Sequence, residues 1–237
     1  MYIQITTRCN MFCDHCCFAC GSANGKNMTA KTFHAALALI EDDEEASICI
    51  GGGEPTLHPR FWPFLVDALV QSENVWLATN GSITKTALRL AQLARRGVIG
   101  CALSQDHYHD PIDYSVIEAF TYGMEQRRGY GGGINYKPCD DSDKREIRDV
   151  TQGGTNYDNL SPFRDPEDGG NPEYCSCGGV FIAVNGDVKP CGCLTAPVIG
   201  HVSTFDLQTH LNSREDSEGC YRHEEAYSEK EQERMTA

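Results

Sequence analysis

Three cysteines, Cys9, Cys13 and Cys16, fall in a C-x3-C-x2-C pattern within the segment Cys9-Asn-Met-Phe-Cys13-Asp-His-Cys16. Three thiolates from one loop can hold a [4Fe–4S] cluster and leave one iron open, whereas a structural zinc site closes with four ligands. An open iron can bind a substrate or cofactor; a zinc knuckle is the alternative that the spacing alone leaves standing. Cys17 and Cys20 extend the loop as hydrogen-atom donors, ligands of another cluster, or small buried residues. A second set, Cys175-Ser-Cys177 and Cys191-Gly-Cys193, presents two C-x-C pairs whose four thiolates could close around iron–sulfur or zinc equally well. Cys220 lies beyond them, and Cys139 has no assigned role. With 237 residues the chain is long enough to bury a core without disulfide staples, and its 13 clustered cysteines suit metal ligation better than pairing. Reduced thiols and a cytoplasmic location are therefore expected.

The elements that must position these groups read as alternating strands and helices, the pattern of a parallel sheet. Tyr2–Thr6 predicts the first strand, directly ahead of the cysteine loop. Thr29 predicts an N-cap, followed by Phe33, Ala36, Leu37 and Ile40 at helical spacing. Ser47–Ile50, Val75–Thr79 and Val98–Ser104 predict three more strands. Helices are expected from Pro59 to Val70, from Thr84 to Arg96 with Gly97 closing the end, and after a cap at Asp113. From Arg127 to about Asn171 glycines interrupt a charged stretch, and only a strand near Ile134–Tyr136 and a short helix over Lys144–Val150 are expected. Farther on, Val180–Val184 and Asp187–Lys189 predict a hairpin with a type I′ turn at Asn185-Gly186. The Glu- and Lys-rich tail from Arg222 predicts a frayed helix or disorder.

Each strand end carries polar or glycine residues where parallel folds place their sites. Gly51-Gly52-Gly53-Glu54-Pro55 closes the second strand, Thr79-Asn80-Gly81 the third, and Ser104-Gln105-Asp106 the fourth, with His109-Asp110 beyond. Glycine lets backbone carbonyls approach a ligand closely, and Glu54 supplies a negative charge. Singly, these residues are equally well read as turns and caps.

Over about residues 1–125 the sequence resembles the radical S-adenosylmethionine (SAM) superfamily, on the Cys9, Cys13, Cys16 loop after the first strand and the GGE-like motif after the second. The resemblance implies an α/β fold, a partial (β/α)6-type TIM barrel, with a small C-terminal cysteine-rich β-hairpin module. It implies that the open iron chelates SAM, and that an electron from a donor such as flavodoxin or ferredoxin breaks a sulfur–carbon bond to give a 5′-deoxyadenosyl radical. SAM contacts are implied at His15, Gly52, Gly53, Glu54, Pro55, Thr79, Asn80, Ser104 and Asp106. His15 takes a position that the family usually fills with an aromatic residue. The second cysteine set resembles SPASM or shorter twitch modules, implying an auxiliary cluster at Cys175, Cys177, Cys191 and Cys193, though a full SPASM module continues with more cysteines than Cys220 alone. The expected division is a core over 1–126, an irregular substrate-covering segment over 127–173, the twitch-like module over 174–221 and a charged tail over 222–237.

The expected reaction removes hydrogen from an amino-acid-like α-carbon in a peptide, followed by rearrangement, cross-linking or oxidation. The compact size, missing leader-peptide-binding domain and CCFAC extension also resemble small phage-type radical SAM proteins, which implies as an alternative an isomerase of an amino-acyl group on a hypermodified thymine nucleotide or DNA base. A non-catalytic iron–sulfur or zinc scaffold is the reading from a different class, but it has no need of Glu54, Ser104 or Asp106. A net charge of −14 disfavours a broad phosphate-binding surface; Arg95, Arg96, Arg127 and Arg128 could steer an acidic ligand but read better as solvated helix ends. No apolar run is long enough to span a membrane, so no membrane partner is expected.

Overall fold

The computed structural model describes residues 1–13, 16, 18, 20–21, 24–41, 46–105, 109–128, 134–138, 142–148, 180–192 and 196–213. Strands β1 (Tyr2–Thr6), β2 (Ser47–Gly52), β3 (Asn74–Thr79) and β4 (Gly100–Ser104) pair in parallel, each followed by a helix: α1 (Ala30–Ala38), α2 (Phe61–Gln71), α3 (Thr84–Arg95) and α4 (Tyr114–Thr121). The strands β5 (Met124–Arg128) and β6 (Ile134–Pro138) form a separate antiparallel pair. Further strands extend the main sheet: β7 (Arg145–Arg148) beside β4, and β8 (Phe181–Ile182) beside β1, both parallel, with β9 (Asp187–Lys189) and β10 (Gly200–His201) continuing antiparallel beyond β8. The order is β10-β9-β8-β1-β2-β3-β4-β7. A last helix, α5, covers Leu207–Ser213.

Apolar spacing explains the layers. Ile3 and Ile5 of β1, Ile48 and Ile50 of β2, and Leu103 of β4 are wholly buried, as sheet residues covered by helices must be. Thr29 caps α1 by accepting from the Thr32 N–H, and Phe33 on that helix stacks on Phe64 of α2 with ring centroids 4.1 Å apart. On α3, Ala87, Leu90, Ala91 and Ala94 make one buried stripe, and Gly97 beyond its end has φ +71°. Asp113 caps α4 through the Ser115 N–H. The four expected β-α units are present, with boundaries shifted by a few residues. Among the described residues no helix is long and apolar enough to cross a membrane.

Three expectations are corrected. The stretch read as a helix over Lys144–Val150 contains strand β7, because pairing with β4 outweighs local propensity. The Arg145 side chain then reaches the carboxyl end of α4, where its guanidinium donates to the Ala119 and Tyr122 carbonyls and to the Asp143 carboxylate. Burial raises the Asp143 carboxyl, but the hydrogen bonds and charge of Arg145 outweigh it and hold it below its ordinary value. The hairpin turn also differs from type I′. Gly186 N–H donates to Ala183 O and Ala183 N–H to Asp187 O, so the loop has three residues with Gly186 at φ +95°. The strand near Ile134 is present, and its partner β5 carries Arg127 and Arg128, which are therefore strand residues and not helix ends, because pairing with β6 extends the chain there. Most of 127–173, and the tail from 222, lie outside the described residues.

Arg145 and Asp143 form a nearly buried pair, and removing one partner strands the other. Arg145→Ala should lower the unfolding free energy by about 3–5 kcal/mol in urea titrations. A loss within the range of an exposed ion pair, below about 1 kcal/mol, would show that the pair does not hold β7 to α4.

Candidate functional site

The carboxyl ends of β1, β2, β3 and β4 form one rim, and the cysteine loop leaves β1 along it. Cys9, Cys13 and Cys16 are thiols, half-buried on one loop. The Cys16 N–H donates to Cys13 O, and the Met11 N–H reaches Cys9 Sγ at 3.5 Å. Burial raises the Cys9 thiol above its ordinary value. Cys16 is drawn down to about 6, first by a hydrogen bond from the Cys20 thiol, against the opposing effect of burial. Cys20 itself is buried. Its Sγ approaches Phe18 O at 3.6 Å and Gln4 Nε2 at 4.0 Å, while its N–H donates to Cys16 Sγ at 3.3 Å. These contacts place Cys20 behind the loop.

The end of β2 backs directly onto this loop. Gly53 N–H donates to Thr6 O and Glu54 N–H to Arg8 O. A Cβ on Gly53 would collide with Arg8 O, and one on Gly52, at φ +148°, with Thr6 O. Close approach of two chain segments therefore demands these glycines, whatever a ligand also requires. Glu54 is 1% exposed. Its Oε1 accepts from Thr56 N–H, Thr56 Oγ1 and Thr79 Oγ1, at 3.1, 2.6 and 2.9 Å, and its Oε2 from Asn80 N–H at 2.7 Å. A carboxylate offers roughly four acceptor positions, so Oε2 keeps capacity for one more donor. Burial outweighs these bonds and pushes the Glu54 carboxyl above its ordinary value.

Asn80 carries the connection from β3 back to the cysteines. Its Nδ2 donates to Asn10 Oδ1 at 3.1 Å and lies 3.9 Å from Cys9 Sγ, while its Oδ1 accepts from Ser82 N–H. Ser82 Oγ also bonds Asn10 Oδ1, at 3.2 Å. Asn10, Thr56 and Ser82 were missed at the sequence level. Thr56 had a legible signal, since Glu-Pro-Thr sets a short 3-10 turn at Pro55–Leu57 with Glu54 as its cap.

Cys9, Gly52, Gly53, Glu54, Thr79 and Asn80 are thus joined by direct contacts, with Pro55 buried beside them. Ser104 ends β4 on the same rim, half-buried. His15, Cys17, Asp106, Cys175, Cys177 and Cys193 lie outside the described residues. Cys191 is buried at the hairpin, and a Cβ on the adjacent Gly192 would touch Phe18 and Phe181. Cys101 is fully buried in β4, whereas Cys49 in β2 is only half-buried. Among the described residues no three His, Cys, Asp or Glu side chains gather closely enough to hold a single metal ion. The chemistry of the donor set, three soft thiols on one loop, fits a [4Fe–4S] cluster with one iron left to a ligand.

Residues 3–124 match the model of the radical SAM superfamily, and the chain belongs to that superfamily. Membership implies a [4Fe–4S] cluster and SAM as cofactors. The mycofactocin maturase MftC of Mycobacterium tuberculosis is 32% identical over 124 residues, which cover 52% of this chain and 32% of the maturase. The tungsten-containing aldehyde ferredoxin oxidoreductase cofactor-modifying protein of Pyrococcus furiosus is 31% identical over 103 residues, 41% of this chain and 28% of that protein. The chain thus spans about a third of the length of the curated relatives it matches. Among solved structures, BtrN in complex with AdoMet and 2-DOIA aligns over 91% of this chain and 82% of its own, at 14% identity and a TM-score of 0.55. Native anSMEcpe with bound AdoMet aligns over 91% and 81%, at 15% identity and a TM-score of 0.52. These likenesses identify the parallel sheet and its helices as the partial TIM barrel expected from the sequence.

Glu54→Gln keeps the shape but turns one acceptor oxygen into a donor facing donors. The variant should lose about 1–3 kcal/mol of stability, read by urea unfolding of the metal-free protein. An unchanged unfolding midpoint would contradict the clamp.

Proposed function

We propose that this chain cleaves SAM reductively and takes a hydrogen atom from an amino-acid-like α-carbon, in a peptide. The observation that carries the reading is the contact of the cysteine loop with the ends of β2 and β3 through Gly53, Glu54 and Asn80. When bound, the cluster and SAM supply one-electron cleavage and a carbon radical strong enough to take hydrogen from an unactivated carbon.

The chain's own residues divide the work. Cys9, Cys13 and Cys16 hold the cluster and leave one iron to SAM. Gly52 and Gly53 offer backbone carbonyls to the SAM ammonium, and Glu54 Oε2 offers its remaining acceptor position. Pro55 and Thr79 are assigned to the same wall, and Ser104 to a ribose hydroxyl. Cys175, Cys177, Cys191 and Cys193 are assigned to an auxiliary cluster or zinc, and the electron comes from a donor of the flavodoxin or ferredoxin kind. One neighbour supports the peptide: anSMEcpe, solved with AdoMet and the Cp18Cys peptide, shares the fold at a TM-score of 0.50. Chemistry supports it too, because a radical on an α-carbon is stabilised by the adjacent nitrogen and carbonyl.

The test uses short peptides and glycyl-bearing thymidine nucleotides deuterated at the α-carbon. Deuterium should pass from the peptide into 5′-deoxyadenosine, detected by mass spectrometry. Transfer from the nucleotide alone would replace the peptide with the amino-acyl nucleotide. SAM cleavage with no transfer from either would overturn the substrate proposal.

A further inference from the structure

We infer that Asn80 is a positioning residue for Cys9, clasping the cysteine loop to β3 and directing an amide N–H at the Cys9 sulfur. This rests on the radical SAM reading of the cysteine loop and departs from the expectation that Asn80 contacts SAM. The orientation of the side-chain amide follows from its partners. Ser82 N–H can only donate, so the Asn80 atom 3.0 Å from it is the carbonyl oxygen. The NH2 group then faces Asn10 Oδ1 at 3.1 Å and Cys9 Sγ at 3.9 Å, one hydrogen available for each. Ser82 Oγ holds Asn10 from the other side at 3.2 Å.

Both amide hydrogens are taken in this arrangement, so the side chain has no N–H left for a further ligand. Asn80 is 7% exposed, its backbone N–H is taken by Glu54 Oε2, and its side chain is committed to Ser82, Asn10 and Cys9. An N–H directed at a cluster sulfur favours the more negative, reduced cluster, because it stabilises charge that accumulates on sulfur. Asn80 therefore does two things: it fixes the loop in place, and it raises the potential at which the cluster accepts an electron.

Asn80→Ser separates these contacts from the rest of the fold, since a serine hydroxyl can still accept from the Ser82 N–H two residues on but is too short to reach Cys9. The variant is compared with wild type as reconstituted protein. The expected result is a metal-free protein that stays folded, a cluster whose reduction potential moves negative, and iron loss to a chelator that is several-fold faster. Wild-type potential and chelation rate would overturn the inference. A roughly tenfold loss of SAM affinity at unchanged potential would return Asn80 to the SAM site. A wild type that assembles no cluster on Cys9, Cys13 and Cys16 would instead remove the reading on which the inference rests.

Discussion

The buried carboxylate of Glu54 is the constraint on which the site depends. It binds the end of β2 to the end of β3, through Thr79 and Asn80, while its own backbone N–H is tied to Arg8 beside the first cysteine. Burying a carboxylate is costly unless donors surround it, and here burial still outweighs four of them. The sign follows from linkage. A carboxyl raised above its unfolded value binds protons more tightly in the fold, so stability is lost as pH climbs from the unfolded value through the raised one. A cation delivered to Oε2 would offset that cost.

The cysteine loop is held from two sides by different physics. On the β3 side the contacts are polar, through Asn10, Asn80 and Ser82. On the opposite side Phe18 packs with Tyr2 of β1 and Phe181 of β8, with centroids 5.2–5.5 Å apart. The C-terminal hairpin is therefore part of the wall behind the loop, and Gly192 is small where Phe18 and Phe181 come close. Parallel pairing of β8 with β1 places Cys191 on this edge of the barrel. The loop that carries the first three thiols thus has its packing completed by residues far along the chain.

What was legible in the sequence was what local pattern encodes. The caps at Thr29 and Asp113, the apolar stripe of α1 at Phe33, Ala36 and Leu37, and the strand runs of β1 to β4 each depend on residues close in sequence, and each is present. Elements that depend on distant partners were read poorly. Lys144-Arg145-Glu146-Ile147 carries no strong strand signal alone, and becomes a strand because β4 offers an edge and α4 offers carbonyls for Arg145. At the site, residue types were legible but their obligations were not. The glycines before Glu54 suggested close approach to a ligand, and the backbone of Thr6 and Arg8 requires them as well. Glu54 suggested a partner for an ammonium, yet most of its acceptor capacity belongs to the protein.

The central claim is that Cys9, Cys13 and Cys16 hold a cluster with one iron open to SAM. Its most direct test is electron–nuclear double resonance of the reduced cluster with SAM carrying 15N in its amino group. The account predicts a 15N coupling to the cluster in wild type and its disappearance when all three cysteines are changed to alanine. A reduced cluster on these cysteines with no 15N coupling would contradict it, because the fourth iron would then be closed to SAM.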